Sequence, residues 1–361
     1  MGIIRVLLAI AVLVAHTSPL FGLHFFGGGV IAVECFFVIS GFYMALVLSS
    51  KYPRIADFYF NRAIRIYPLY LAVLVAFAVI AGAYGAATGR WLGVFAAVDG
   101  ATPVQAGFAF LANVAIFGSD VLHFVPFGTD STLSELLAIP VVWSLAVELT
   151  FYVLAPFLNR CSTRALSLIG VGSLALRLVL TWGSGGWTPW IYYFVPSQLF
   201  FFVAGMLAYR YYSARVKNRP LASKTVAVLT AVWCLTICAY ANLGLVYDDH
   251  WFMEGAFVVL LPYVFELTKS SRIDRAFAEW SYPIYLVHCL VLTVYAPLRH
   301  FVPPTYYSLV VLGLSLAGSA IAVRFDRWIE HRLKRVPGQQ SPGRESISAS
   351  VSLAPALAKT P

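Results

Sequence analysis

The stretch PLYLAVLVAFAVIAGAYGAA, Pro68–Ala87, runs for twenty residues without a charged side chain. As an α-helix it rises about 30 Å, the thickness of the hydrocarbon core of a bilayer. Working outward, runs of similar length and character fall at Ile3–Phe21, Gly28–Ser49, Pro140–Leu158, Ala165–Trp182, Phe194–Tyr211, Thr225–Asn242, Phe252–Thr268, Tyr282–Phe301 and Tyr306–Arg324, ten in all. The apolar stretch Gln105–Phe117 is too short to cross and reads as a re-entrant or interfacial helix, so residues 88–139 stay on one side.

The composition agrees. The chain has 361 residues, of which 60% are hydrophobic and 11% charged, against roughly 25% charged in a soluble domain. A soluble enzyme is excluded, and an aromatic content of 16% excludes disorder. The fold class expected is an all-α integral membrane protein, a bundle of about ten transmembrane helices with both termini cytoplasmic. In that orientation all but three of the 25 Lys and Arg residues (Arg90, Arg177 and Arg299) face the cytoplasm, as the positive-inside rule requires. An added crossing at 105–117 would invert every later loop and destroy the asymmetry. The net charge of +9 then reflects an anionic membrane surface rather than nucleic acid. A cleaved signal peptide over the first span is the minority alternative, because cleavage would spoil the charge pattern. Residues 1–335 form the membrane domain, and 336–361, rich in Pro, Gly, Ser and Ala, read as a disordered cytoplasmic tail. The five cysteines lack metal-ligand spacing and read as packing residues, and no metal is expected.

Ionisable residues inside spans are the default site candidates, since a bare charge in hydrocarbon costs several kcal/mol. Arg5 and His16 are eleven residues apart on the first span. That spacing returns the side chains to within about 20° of one face, roughly 16 Å apart along the axis, with His16 deeper in the membrane. A snorkelling arginine and a packing histidine explain this pair equally well. Glu34, beyond a glycine run, reaches a similar depth and is placed to pair with His16. Ser144 and Glu148 share a helix face by i,i+4 spacing, as Tyr285 and His288 do by i,i+3. Arg62 and Arg65, three residues apart at the mouth of the third span, suit the forked grip of a phosphate, although a plain cytoplasmic anchor needs the same residues. Arg177, Glu254 and Glu266 carry no motif, and structural pairing is the default reading for them.

Taken together these residues resemble the membrane acyltransferase 3 family, which transfers acyl groups, commonly acetyl from acetyl-CoA, to carbohydrates and other hydroxylated acceptors. Five elements carry the resemblance over roughly residues 1–335: Arg5 with His16; Glu34 through Phe42, with Glu where the family often has Asp; Arg62 with Arg65; Trp143–Tyr152; and Ser281–His288. One departure is that Glu330 is followed by His331-Arg332 rather than x-Pro, so no role passes to it. No esterase-like domain of the kind fused to some members is read after the spans, which leaves the acceptor open.

The resemblance makes His16 the expected catalytic histidine, as base or as transient acyl carrier, and an imidazole is also the best base by its unperturbed pKa. Glu34 and Glu148 are candidates to orient the imidazole or stabilise its cation. Arg5, Arg62 and Arg65 are expected to hold the phosphates of cytoplasmic acetyl-CoA, with Ser144, Tyr285 and His288 as further substrate-binding residues. The expected partners are acyl-CoA, a carbohydrate or glycolipid acceptor and the lipids of a bacterial inner membrane, with exopolysaccharide and lipopolysaccharide among the acceptors in view. The rival from another class is a transporter or flippase that uses the buried charges as a proton relay, but no inverted repeat links the two halves of the chain.

Overall fold

The computed structural model describes residues 1–21, 23, 28–185, 188–243 and 251–333. The expected tail, 336–361, lies outside them. In chain order the helices are α1 (Gly2–Ala15), α2 (Gly29–Ser50), α3 (Ile55–Thr88), α4 (Val94–Ala97), α5 (Pro103–Ala115), α6 (Val142–Arg160), α7 (Thr163–Ser184), α8 (Pro189–Tyr192), α9 (Val195–Tyr211), α10 (Ser223–Asn242), α11 (Trp251–Thr268), α12 (Arg272–Ala278), α13 (Ser281–Tyr295) and α14 (Pro304–Leu333). A two-residue antiparallel pairing, Pro126–Phe127 with Ser131–Thr132, is the only sheet among the described residues. This is an all-α membrane bundle.

Nine of the described helical segments are long and apolar enough to cross a membrane. The tenth expected span is corrected. The first helix has 14 residues, a rise of about 21 Å, and ends at Ala15 rather than Phe21. Pro19 explains the early end, since it disfavours helical backbone at Ser18 and brings no N–H of its own. His16 therefore caps α1 instead of lying inside it. At the other end Asp274 of α12 accepts the Ile3 N–H at 3.1 Å, a carboxylate at a helix N-terminus where its charge is favoured. The third helix is longer than expected, with 34 residues, so Arg62 and Arg65 stand on its helical face rather than in a loop.

The 88–139 connection returns along α3. α5 opens with a reciprocal capping box between Thr102 and Gln105, and its 13 residues are too few to cross. Its C-terminal end is held on α3, where the Tyr67 hydroxyl donates to the Ala115 carbonyl at 2.6 Å and Tyr70 to that of Asn113 at 2.5 Å. Buried Asn113 then ties the next segment in, donating to Leu136 O and accepting from the Ala138 N–H, both at 2.8 Å. The chain thus enters α6 from within the bundle.

The α2–α9 packing fixes the middle. A Cβ on Gly41 would meet the Phe202 carbonyl and one on Gly205 the Val38 carbonyl, so the two backbones touch where both lack side chains. Phe202 stacks on Phe37 of α2 at 4.6 Å and on Phe151 of α6 at 4.2 Å, which joins three helices through one ring.

Candidate active site

Helical periodicity turns five separate stretches of sequence toward one cavity of about 250 Å³. α2 contributes an i,i+3,i+4,i+7 stripe that includes Val33, Phe36, Phe37 and Ser40, with Ile39 beside it. α6 contributes Ser144, Glu148 and Tyr152, each four residues after the last. Arg62 and Arg65 come from α3, Ser281, Tyr282 and Tyr285 from α13, and Arg5 from α1. Six of the nine site residues named from the sequence therefore line one space: Arg5, Arg62, Arg65, Ser144, Glu148 and Tyr285. His16, Glu34 and His288 do not line it.

The three arginines differ in what surrounds them. Arg65 is neutralised from behind by α14, with its guanidinium 2.5 Å from Asp326 and 3.2 Å from Glu330. Arg5 and Arg62 pair with no carboxylate among the described residues, and the buried Nε of each has no hydrogen-bond partner. Arg62 instead lies over the rings of Phe58 and Tyr152, 6.0 Å from each centroid. Two half-buried guanidiniums without carboxylate partners on one cavity have donors that can hold an anion.

Glu148 faces these cations. Its Oε1 accepts from the Ser40 hydroxyl at 2.7 Å and the Tyr152 hydroxyl at 2.6 Å, bonds that fix the carboxylate in the wall. One turn back, Ser144 and Tyr285 share a hydrogen bond of 2.6 Å, and both hydroxyls reach the Val141 carbonyl, at 3.0 and 3.3 Å. This hydroxyl pair lines the cavity on the side of α13. The Tyr285 ring stands 6.2 Å from Phe36 in the wall and 6.0 Å from His288 behind it.

His16 lies outside the lining of the cavity, exposed where the sequence reading buried it, because α1 ends early. Its Nδ1 is 2.7 Å from the Val12 carbonyl, and its ring lies 5.4 Å from the fully buried His288. The expected partnership of Glu34 with His16 is not formed. Glu34 bonds Arg177 of α7 at 2.5 Å, and Arg177 also reaches the Ile191 carbonyl at 3.2 Å and lies over Phe201 and Trp251. A carboxylate in an apolar interior takes the nearest fixed cation, and an arginine fork offers more bonds than one imidazole. Nor does Glu148 orient His16, since its bonds run to Ser40 and Tyr152. The structural pairing expected of Arg177 is what the structure shows.

Four residues that shape the site were given no role from the sequence: Ser40 and Tyr152, which lie inside two of the elements that carry the family resemblance, Glu330, to which no role was passed, and Asp326, which was not named. Tyr152 had a signal in its i,i+4 spacing from Glu148, as did Asp326 and Glu330 in theirs from each other. Ser40 had none. Among the described residues no cluster of three or more His, Cys, Asp or Glu is placed to hold a metal ion.

The acyltransferase domain family model matches residues 1–324, and the chain belongs to that family. It is similar to a peptidoglycan O-acetyltransferase of Listeria monocytogenes, at 23% identity over 92% of this chain and 55% of that protein. It is also similar to a Bacillus subtilis protein provisionally named a peptidoglycan O-acetyltransferase, at 24% identity over 79% of this chain and 47% of that protein. The chain thus spans about half the length of the curated relatives it matches. No solved structure matches it.

Proposed function

We propose that this member of the acyltransferase domain family is a membrane O-acetyltransferase that moves an acetyl group from acetyl-CoA to a hydroxyl of a carbohydrate. The observation that carries the reading is the cavity with Arg5 and Arg62 unpaired and Glu148 fixed opposite. The two guanidiniums hold anionic groups of the donor, the apolar wall of Val33, Phe36, Phe37 and Leu145 takes its thioester arm, and the Ser144–Tyr285 pair marks the end nearest the imidazoles. The basic end of the bundle is the cytoplasmic one by charge, so the donor enters from inside.

His16 acts as the general base. Its Nε2 takes the hydroxyl proton as the acceptor oxygen bonds to the thioester carbon. The carbon–sulfur bond then breaks, and the thiolate leaves with the proton that His16 returns. The exposed position of His16 suits an acceptor that arrives from the other side of the membrane. The names of the two relatives make peptidoglycan sugars the first acceptors to try, with exopolysaccharide and lipopolysaccharide next.

The test is purified protein with acetyl-labelled CoA and each glycan in turn. Label on a sugar hydroxyl is the expected result. Acceptor movement across a vesicle membrane without label on the glycan or the protein overturns the reading in favour of a transporter.

A further inference from the structure

His16 stands at the end of α1, where a helix holds its residues least firmly. Its amide bonds back to Val12 and Leu13, its Nδ1 to Val12, and Thr17 bonds back to Val14. These bonds shape the last turn but do not say where that turn sits against the rest of the bundle. A base must stand within hydrogen-bond reach of the proton it removes, and a misplacement of about 1 Å can cost about 100-fold in rate. At the other end of α1 the position is set from outside, by Asp274 of α12 through the Ile3 N–H at 3.1 Å.

At the His16 end the corresponding group is Ser308 of α14. Its hydroxyl accepts the Ser18 N–H at 3.0 Å, and its own proton reaches the Ser18 carbonyl at 2.9 Å or the Pro304 carbonyl, one turn back, at 3.1 Å. One side chain thus holds both backbone polar groups of a residue 290 positions away. The sequence prepares Ser18 for this contact. Pro19 confines it to extended backbone, in which the N–H and C=O of one residue point to the same side. The bond to Pro304 alone would satisfy the Ser308 proton, so the contacts with Ser18 tie two helices together rather than repair a buried hydroxyl. Ser308 is fully buried, whereas His16, two residues before the clamped serine, is exposed. Among the described residues, the other hydrogen bonds of residues 16–18 stay within residues 12–18.

We propose that Ser308 is a positioning residue for His16: by clamping the N–H and C=O of Ser18 from α14, it fixes the turn from which the imidazole meets the acceptor hydroxyl. This inference rests on His16 being the base. The first helix is then pinned at both ends, by Asp274 near Arg5 and by Ser308 near His16, so loosening the outer end leaves Arg5 in place.

The test uses the purified full chain, acetyl-labelled CoA and the glycan that takes the label. S308A should lower kcat about tenfold with donor KM unchanged, because the end of α1 that carries Arg5 is still held. S308C fills the same space with a thiol, a weak donor and acceptor, and should lose turnover by a similar factor, which keeps the test open should S308A fail to fold. A double-mutant cycle separates positioning from general support of the fold. In a His16→Ala background, S308A should change the residual transfer by less than about twofold, since the group it positions is gone. A further loss of about tenfold there overturns the proposal, as does a loss confined to donor KM. Full turnover in His16→Ala overturns the base assignment and this proposal together, whereas loss there with wild-type turnover in S308A and S308C overturns this proposal alone.

Discussion

The two ends of the site differ in how charge is arranged. Around the cavity, three arginines meet Glu148, and one of them, Arg65, is matched from behind by Asp326 and Glu330. Around His16 there is no paired carboxylate among the described residues, only backbone carbonyls and a second imidazole. A fixed charge suits a ligand whose charge does not change during the reaction, because the site can be built once for it. A neutral, polarisable setting suits a group that gains and loses a proton in each turnover. The contrast therefore separates holding the donor from moving the proton, and each half can be broken independently.

The largest effect is expected at the imidazole end. His16→Ala should lower kcat by about 100-fold or more, the scale of a lost general base, while donor KM stays near wild type. Rapid-quench measurement of label transfer checks this, and a loss appearing in KM alone would erase the distinction between the two ends. At the cavity end the pattern should invert. Arg62→Ala removes one charge-assisted contact, worth about 1.5–3 kcal/mol, and should raise donor KM roughly 10- to 150-fold with kcat little changed.

Arg65 sharpens the comparison within the cavity itself. Its guanidinium answers two carboxylates on α14, one of them 5% exposed in its side chain, so Arg65→Ala takes away the cation they share. The expected cost is folding stability, on the order of 1–3 kcal/mol, with a lowered midpoint in thermal unfolding in detergent. Arg62→Ala, which breaks no ion pair, should unfold within a degree or two of wild type. Equal destabilisation by the two substitutions would mean that the pairing to α14 carries no special weight.

How far the sequence could be read follows from the kind of force involved. The spans were legible because a hydrocarbon core demands a length of apolar chain, a property of composition alone. The stripe Ser144, Glu148, Tyr152 and the pair Arg62, Arg65 were legible because helical spacing is local. Partner choice was not. Glu34 and His16 sit at comparable expected depths, yet Glu34 meets Arg177, 143 residues away in sequence. Nothing local distinguishes that arginine from a lone packing residue. The early end of α1 has a local signal in Pro19, but that proline sits inside an apolar run that continues through Leu20 and Phe21. His288 was legible as a site residue by its i,i+3 spacing from Tyr285. Its place beside His16 was not, since that depends on how α1 packs against α13.

The smallest effect concerns what holds Glu148. Ser40 and Tyr152 both donate to Oε1, from α2 and α6 respectively, so either hydroxyl alone keeps the carboxylate in the wall. Tyr152→Phe also preserves the ring beneath Arg62. Each single change, Ser40→Ala or Tyr152→Phe, should therefore alter turnover by only about threefold, the scale of one hydrogen bond backed by another. The double variant releases the carboxylate to swing toward Arg5 or Arg62. Its loss should exceed the product of the two single losses, and it should appear in donor KM, because the freed carboxylate then competes with the donor's anionic groups for the same guanidiniums. Strictly multiplicative losses would show that Ser40 and Tyr152 act on Glu148 independently, and that the wall does not depend on their sharing one oxygen.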